Sequence, residues 1–242
     1  MNDLTRRQVE ILKTLIEEYI ETAEPVGSET LEKKHSVSAS PATIRNEMVK
    51  LTNLGYLKKT HTSSGRVPTA VGMKFYVKQL MREKELSVAE EVSMKEKLWD
   101  YREKEQQFLK QITRSLADKT KTLAIAVTDE GDIYSSGSAN ILDMPEFVDI
   151  DITKTLLSTL DELDYFRDLF SSITDEEDIH ILLGDDLPKL PASYGFVYSR
   201  YETPLHMGGE IGVLGPVRLN YTYIVPFVKS CRDLIKEIAK GW

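Results

Sequence analysis

Ser40-Pro41-Ala42-Thr43-Ile44-Arg45-Asn46-Glu47-Met48-Val49-Lys50-Leu51 decides the fold of the N-terminal third. A serine ahead of a proline starts a helix well: its hydroxyl accepts a free backbone N–H, and the proline sits where no N–H is needed. The spacing predicts a helix from Pro41 to about Leu54, ended by Gly55. Ile44, Met48 and Leu51 share one face. Ala42, Arg45, Asn46, Val49 and Asn53 share the other, with Ser40 and Thr43 at the start.

Upstream, Thr5-Arg6-Arg7-Gln8 reads as a capping box. Val9, Leu12, Leu15, Ile16, Tyr19 and Ile20 follow at helical spacing, which predicts a helix over 6–22. Glu24-Pro25-Val26-Gly27 stops it, Ser28 caps a short helix over 29–35 that buries Leu31, and 36–39 form a turn. Short helix, tight turn and capped helix make a helix-turn-helix, whose second helix enters the major groove by its N-terminus. Downstream, 56–60 reads as a strand, His61-Thr62-Ser63-Ser64-Gly65 as a turn and Arg66-Val67-Pro68 as the return. Thr69 then caps a helix with Val71, Phe75, Val77 and Leu80 inward and Lys74, Lys78 and Arg82 outward. The whole is a winged helix, and its expected ligand is double-stranded DNA.

Charge distribution agrees. The 242 residues carry a net charge of −8, yet 45–84 hold nine basic residues against two acidic ones. A basic island in an acidic chain marks a surface for a polyanion. Arginine can pair with guanine and asparagine with adenine, so Arg45 and Asn46 are the expected base readers. Ser40 and Thr43 beside the helix start suit phosphate. Lys50, Lys58, Lys59 and Arg66 are expected at the DNA backbone, with His61, Thr62 and Ser64 at the wing tip. His61, alone in a loop, reads as a DNA contact rather than a metal ligand.

Several of these stretches carry a family resemblance. They include 24–28, Ala42-Thr43-Ile44-Arg45-Asn46-Glu47-Met48, Leu54-Gly55-Tyr56-Leu57 and 61–69. Further along come Gly137-Ser138-Ala139-Asn140-Ile141-Leu142, Pro145-Glu146-Phe147 and Gly209-Glu210-Ile211-Gly212-Val213-Leu214-Gly215-Pro216-Val217-Arg218-Leu219-Asn220-Tyr221. Together they closely resemble the heat-inducible transcription repressor family HrcA. The resemblance implies a bacterial, cytoplasmic, dimeric repressor of chaperone genes, bound to the nucleoid when it holds its inverted-repeat operator. It also implies that a chaperonin helps to keep the repressor active. The implied architecture is α+β: a winged helix-turn-helix over 1–86, a connecting helix over 87–119 and a GAF-like regulatory and dimerising domain over 120–242. Only about twenty residues separate Lys119 from Asn140, so the family's dimerising insertion is expected to be absent or severely shortened.

Within 87–118, Glu, Lys and Gln are frequent and Pro and Gly are missing, which predicts helix. The stripe of Val88, Val92, Trp99, Leu109, Ile112 and Leu116 is broken by the polar run 102–107, against a coiled coil. Beyond it, strands are expected at 123–127, 133–134, 179–183, 194–198 and 210–214. Helices are expected at 152–170 and 221–239.

Little else suggests chemistry. The acidic run 175–178 lacks the alternating ligands of a calcium loop. Gly208, Gly209, Gly212 and Gly215 form no phosphate motif and fit tight strand packing. Cys231 lies on an apolar helix face, a core position, and as the only cysteine it fits a reducing compartment. The four histidines are far apart, so no metal site, cofactor or enzyme activity is expected. No apolar run suits a membrane span, and the start at Met1 has no signal-peptide character. Two other readings are a ligand-gated regulator with a small effector in the GAF-like half, and an acidic module that docks a chaperone.

Overall fold

The computed structural model describes residues 4–35, 37, 39–59, 65–99, 105–160, 162–173, 177–203 and 208–241. The chain divides into two compact units, Met1–Arg82 and Glu83–Trp242. The turn residues Ser36 and Ser38, the wing tip His61–Ser64, most of the polar run after Trp99 and the acids Asp175 and Glu176 lie outside the described residues.

In the first unit, α1 (Arg6–Thr22) opens with the capping box on Thr5 and Gln8 and closes at Ala23 in the left-handed region. Helix α2 is Ser28–His35, and α3 is Pro41–Asn53. Strands β1 (Leu57–Lys59) and β2 (Arg66–Pro68) pair antiparallel with Lys59 opposite Arg66, and Val26 bridges the outer side of Arg66. Ile11, Leu12, Leu15 and Ile16 of α1, Leu31 of α2 and Ile44, Met48 and Leu51 of α3 form the core with Leu57 and Val67. The buried stripe of α1 is thus rotated from the expected one: Ile11 joins it, and Val9, Tyr19 and Ile20 are only half-buried.

Helix α4 (Ala70–Phe75), capped by Thr69, runs on as a π-helical turn over Tyr76–Leu80. Its inward face is Gly72, Met73 and Tyr76, and Val71, expected inward, is 56% exposed. The cause is steric. A Cβ on Gly72 would lie 2.2 Å from the Tyr56 carbonyl oxygen, so the glycine lets the helix seat against the wing on that side.

The second unit opens with α5 (Val88–Trp99) and α6 (Glu105–Thr120), both helical as expected for 87–119, with 100–104 outside the described residues. Helix α6 is a core element. Phe108, Leu109, Ile112 and Leu116 are fully buried, and it packs on β3 (Leu123–Thr128), β4 (Ile133–Ser136) and the last helix, α10 (Tyr221–Ile238). Helix α7 (Ser138–Leu142) follows. The helix expected over 152–170 is two, α8 (Ile150–Leu160) and α9 (Leu163–Ser171). Strands β5 (His180–Leu183), β6 (Tyr194–Glu202) and β7 (Gly208–Pro216) complete an antiparallel sheet ordered β4-β3-β7-β6-β5.

Register places Leu123, Leu214, Phe196 and Leu182 in one row across this sheet and Ile125, Gly212, Tyr198 and His180 in the next. Strand alternation turns both rows to one face, where Phe166 and Phe170 of α9 pack. Cys231 is buried on α10, and burial raises its thiol pKa above the usual range. A Cβ on Gly209 would lie 2.2 Å from the Val127 carbonyl, and one on Gly212 would lie 2.3 Å from that of Val197. Those glycines serve strand packing.

Candidate nucleic-acid interface

The start of α3 is built by Ser40, whose hydroxyl oxygen accepts the Thr43 N–H at 3.3 Å and lies 2.9 Å from the Thr43 hydroxyl. Capping already occupies these two groups, so a phosphate arriving there shares or displaces a cap. Past the cap, Ala42, Arg45, Asn46, Val49, Lys50 and Asn53 are all exposed, while Ile44, Met48 and Leu51 are buried beneath them. The helix is fixed by its apolar side and presents Arg45 and Asn46 together to solvent.

The basic residues differ in how they are held. Lys58 and Lys59 stand exposed on β1. Arg66 is half-buried: its Nε donates to the Thr52 hydroxyl of α3 at 3.1 Å, and its backbone exchanges hydrogen bonds with Val26 at 2.9 and 3.0 Å. It therefore ties the wing to α3, a role invisible in charge counting. Lys50 Nζ lies 2.8 Å from Glu47 Oε1, and Glu47 Oε2 accepts from Gln8 Nε2 at 2.9 Å. His61, Thr62 and Ser64 lie outside the described residues.

A second buried acid braces the helix-turn-helix from behind. Glu18 of α1, 5% exposed, meets Lys34 at 2.9 Å and His35 Nε2 at 2.7 Å at the end of α2. Burial pushes its carboxyl pKa upward, but the hydrogen bonds from Lys34 and His35 outweigh that and hold it below the ordinary value. Sequence reading placed Gln8 in the capping box but missed its link to Glu47, and it missed the roles of Glu18, Glu47 and Thr52. Of these three, only Glu47 had a local signal, three residues before Lys50. Glu18 and Thr52 find partners 14 or more residues away.

In the second unit, Arg232 Nη1 donates to Asp178 Oδ1 at 2.6 Å, so the last acid of the 175–178 run is a structural ion pair. Among the described residues, no group of three or more His, Cys, Asp or Glu is placed to hold a metal, and no helix is long and apolar enough to cross a membrane.

Comparison with known proteins bears on both units. Residues 3–81 match the family model described as winged helix-turn-helix transcription repressor, HrcA DNA-binding. Residues 66–225 match that of the HrcA protein C terminal domain. The heat-inducible transcription repressor HrcA of Pelotomaculum thermopropionicum is 26% identical over 343 residues, covering 98% of this chain and 99% of the relative. That of Acetivibrio thermocellus is 43% identical over 127 residues, covering 52% and 36% respectively. An alignment of 343 positions against a chain of 242 means that the first relative carries residues with no counterpart here. A crystal structure of a hypothetical protein at 2.2 Å resolution covers 99% of both chains with a TM-score of 0.78 at 16% identity, a likeness of fold.

Proposed function

The chain belongs to the HrcA family of winged-helix transcription repressors, and from that premise we propose that it silences heat-inducible chaperone genes by reading an inverted-repeat operator as a dimer. The observation that carries this reading is the outward pairing of Arg45 and Asn46 on a helix whose opposite face is buried. Arg45 takes guanine and Asn46 adenine. Lys58 and Lys59 neutralise phosphates, Arg66 adds charge at the wing root, and His61, Thr62 and Ser64 contact the DNA from the wing tip. Ser40 and Thr43 meet a phosphate at the start of α3, and Lys50 reaches the flanking backbone.

Two-fold symmetry of a dimer matches the symmetry of an inverted repeat and doubles the contacts. Residues 1–86 are the DNA-binding domain, and 120–242 supply dimerisation and regulation, with a chaperonin as the partner that sustains the active form. The site of action is the bacterial cytoplasm, on nucleoid DNA. The family name and the basic face of the first unit favour this reading over a small-effector sensor.

Fluorescence anisotropy of the purified chain tests it, on an inverted-repeat operator and on a scrambled duplex, across a salt series. The repeat should bind at least tenfold more tightly and keep its preference at moderate salt. Equal affinities with the same steep salt dependence would reduce the protein to a non-specific basic surface.

A further inference from the structure

Glu47 is an acid at the border between the buried face of α3 and the exposed face that should meet DNA. Its side chain is only 12% exposed, and both of its oxygens are committed: Oε1 to Lys50 at 2.8 Å and Oε2 to Gln8 at 2.9 Å. Gln8 is itself fixed, because its side-chain oxygen accepts the Thr5 N–H at 2.9 Å within the capping box of α1. A relay of hydrogen bonds therefore runs from the start of α1 to a lysine on α3. Lys50 is 59% exposed, so its ammonium reaches solvent while leaning on a carboxylate that cannot move away. The Lys50 hydrogen bond, ahead of opposing burial and with help from Gln8, keeps that carboxyl below its ordinary pKa. It stays ionised at neutral pH.

We propose that Glu47 tunes DNA affinity without touching a base: it holds Lys50 back and so weakens one phosphate contact in binding to every sequence. Non-specific affinity is a sum of phosphate neutralisations, whereas operator affinity adds base contacts that Glu47 leaves alone. An acid held at this position therefore lowers both by the same factor and leaves the ratio between them unchanged. Glu47 also fixes the rotation of α3 about its axis, which keeps its neighbours Arg45 and Asn46 outward. The inference rests on the DNA-reading role proposed above for α3.

Glu47→Gln tests it, since the amide keeps the shape and an oxygen that can accept from Gln8 while removing the charge. On random duplex, Glu47→Gln should bind more tightly at low salt, and its log–log salt slope should steepen by at most about 0.9, the value of one phosphate. The preference for operator over random DNA should stay the same, because both duplexes gain the same contact. In a Lys50→Ala background the same exchange should leave the slope unchanged. A slope unaltered in the single variant, or equal weakening on both duplexes with a lowered Tm, would make Glu47 a purely structural residue and overturn the proposal. If the unmodified chain bound neither duplex, the DNA reading itself would fail, a result distinct from either.

Discussion

Glu210 is half-buried and Glu47 buried, and their surroundings drive the two carboxylates in opposite directions. Glu47 is held charged by Lys50 and Gln8. Glu210, on β7 opposite Val127 and Arg200, is raised to about 7, first by burial and further by Asp129, with Arg200 only partly opposing. In the unfolded chain it returns to its ordinary value of 4.5. Between these pH values the folded protein holds a proton that the unfolded chain releases, so stability falls as pH rises through that window. The contribution is complete below the lower value and lost above the upper one. Glu210→Gln should flatten the profile and be more stable than the unmodified chain at pH 8, by at most about 3 kcal/mol. Urea unfolding at pH 5 and pH 8 reads this, and identical pH dependence in both proteins would refute it.

Elements are where local chemistry and long-range packing part company. The start of α3 was legible because a serine cap followed by proline acts within four residues, and the structure has that cap. Ser40→Ala should cost about 1 kcal/mol of stability, whereas Ser40→Gly should cost only a few tenths. Thermal unfolding separates the two, and no loss in Ser40→Ala would mean that the hydroxyl does little as a cap. The inward face of α4 was not legible, since it depends on Gly72 approaching the Tyr56 carbonyl, a contact 16 residues away in sequence. Nor was the division of 152–170 into α8 and α9, because an apolar repeat of helical period continues across a break without marking it. Helix α6 was read as helix, but its place in the core follows from packing on the strands that come next, β3 and β4, and on the distant helix α10. Within the interface, Arg45 and Asn46 could be placed on an exposed face from spacing alone. The tether from Arg66 to Thr52 could not, because it needs the wing to fold back on α3.

At the scale of the whole molecule, a basic DNA-reading unit and an acidic sheet-bearing unit share a chain shorter than the relatives it matches. On the reading proposed above, operator recognition rests on two separable quantities: what α3 reads, and how many phosphates the wing holds. The most direct test of the central claim, that α3 reads bases, sets Arg45→Ala beside Lys58→Ala on operator and random duplexes at matched salt. Arg45→Ala should lose about 1–3 kcal/mol on the operator, leave random DNA little changed and relax discrimination at one base pair of each half-site. Lys58→Ala should weaken both duplexes alike and reduce the salt slope. If Arg45→Ala lowered both affinities equally, Arg45 would be one more phosphate contact, and the account of how this chain recognises its operator would be wrong.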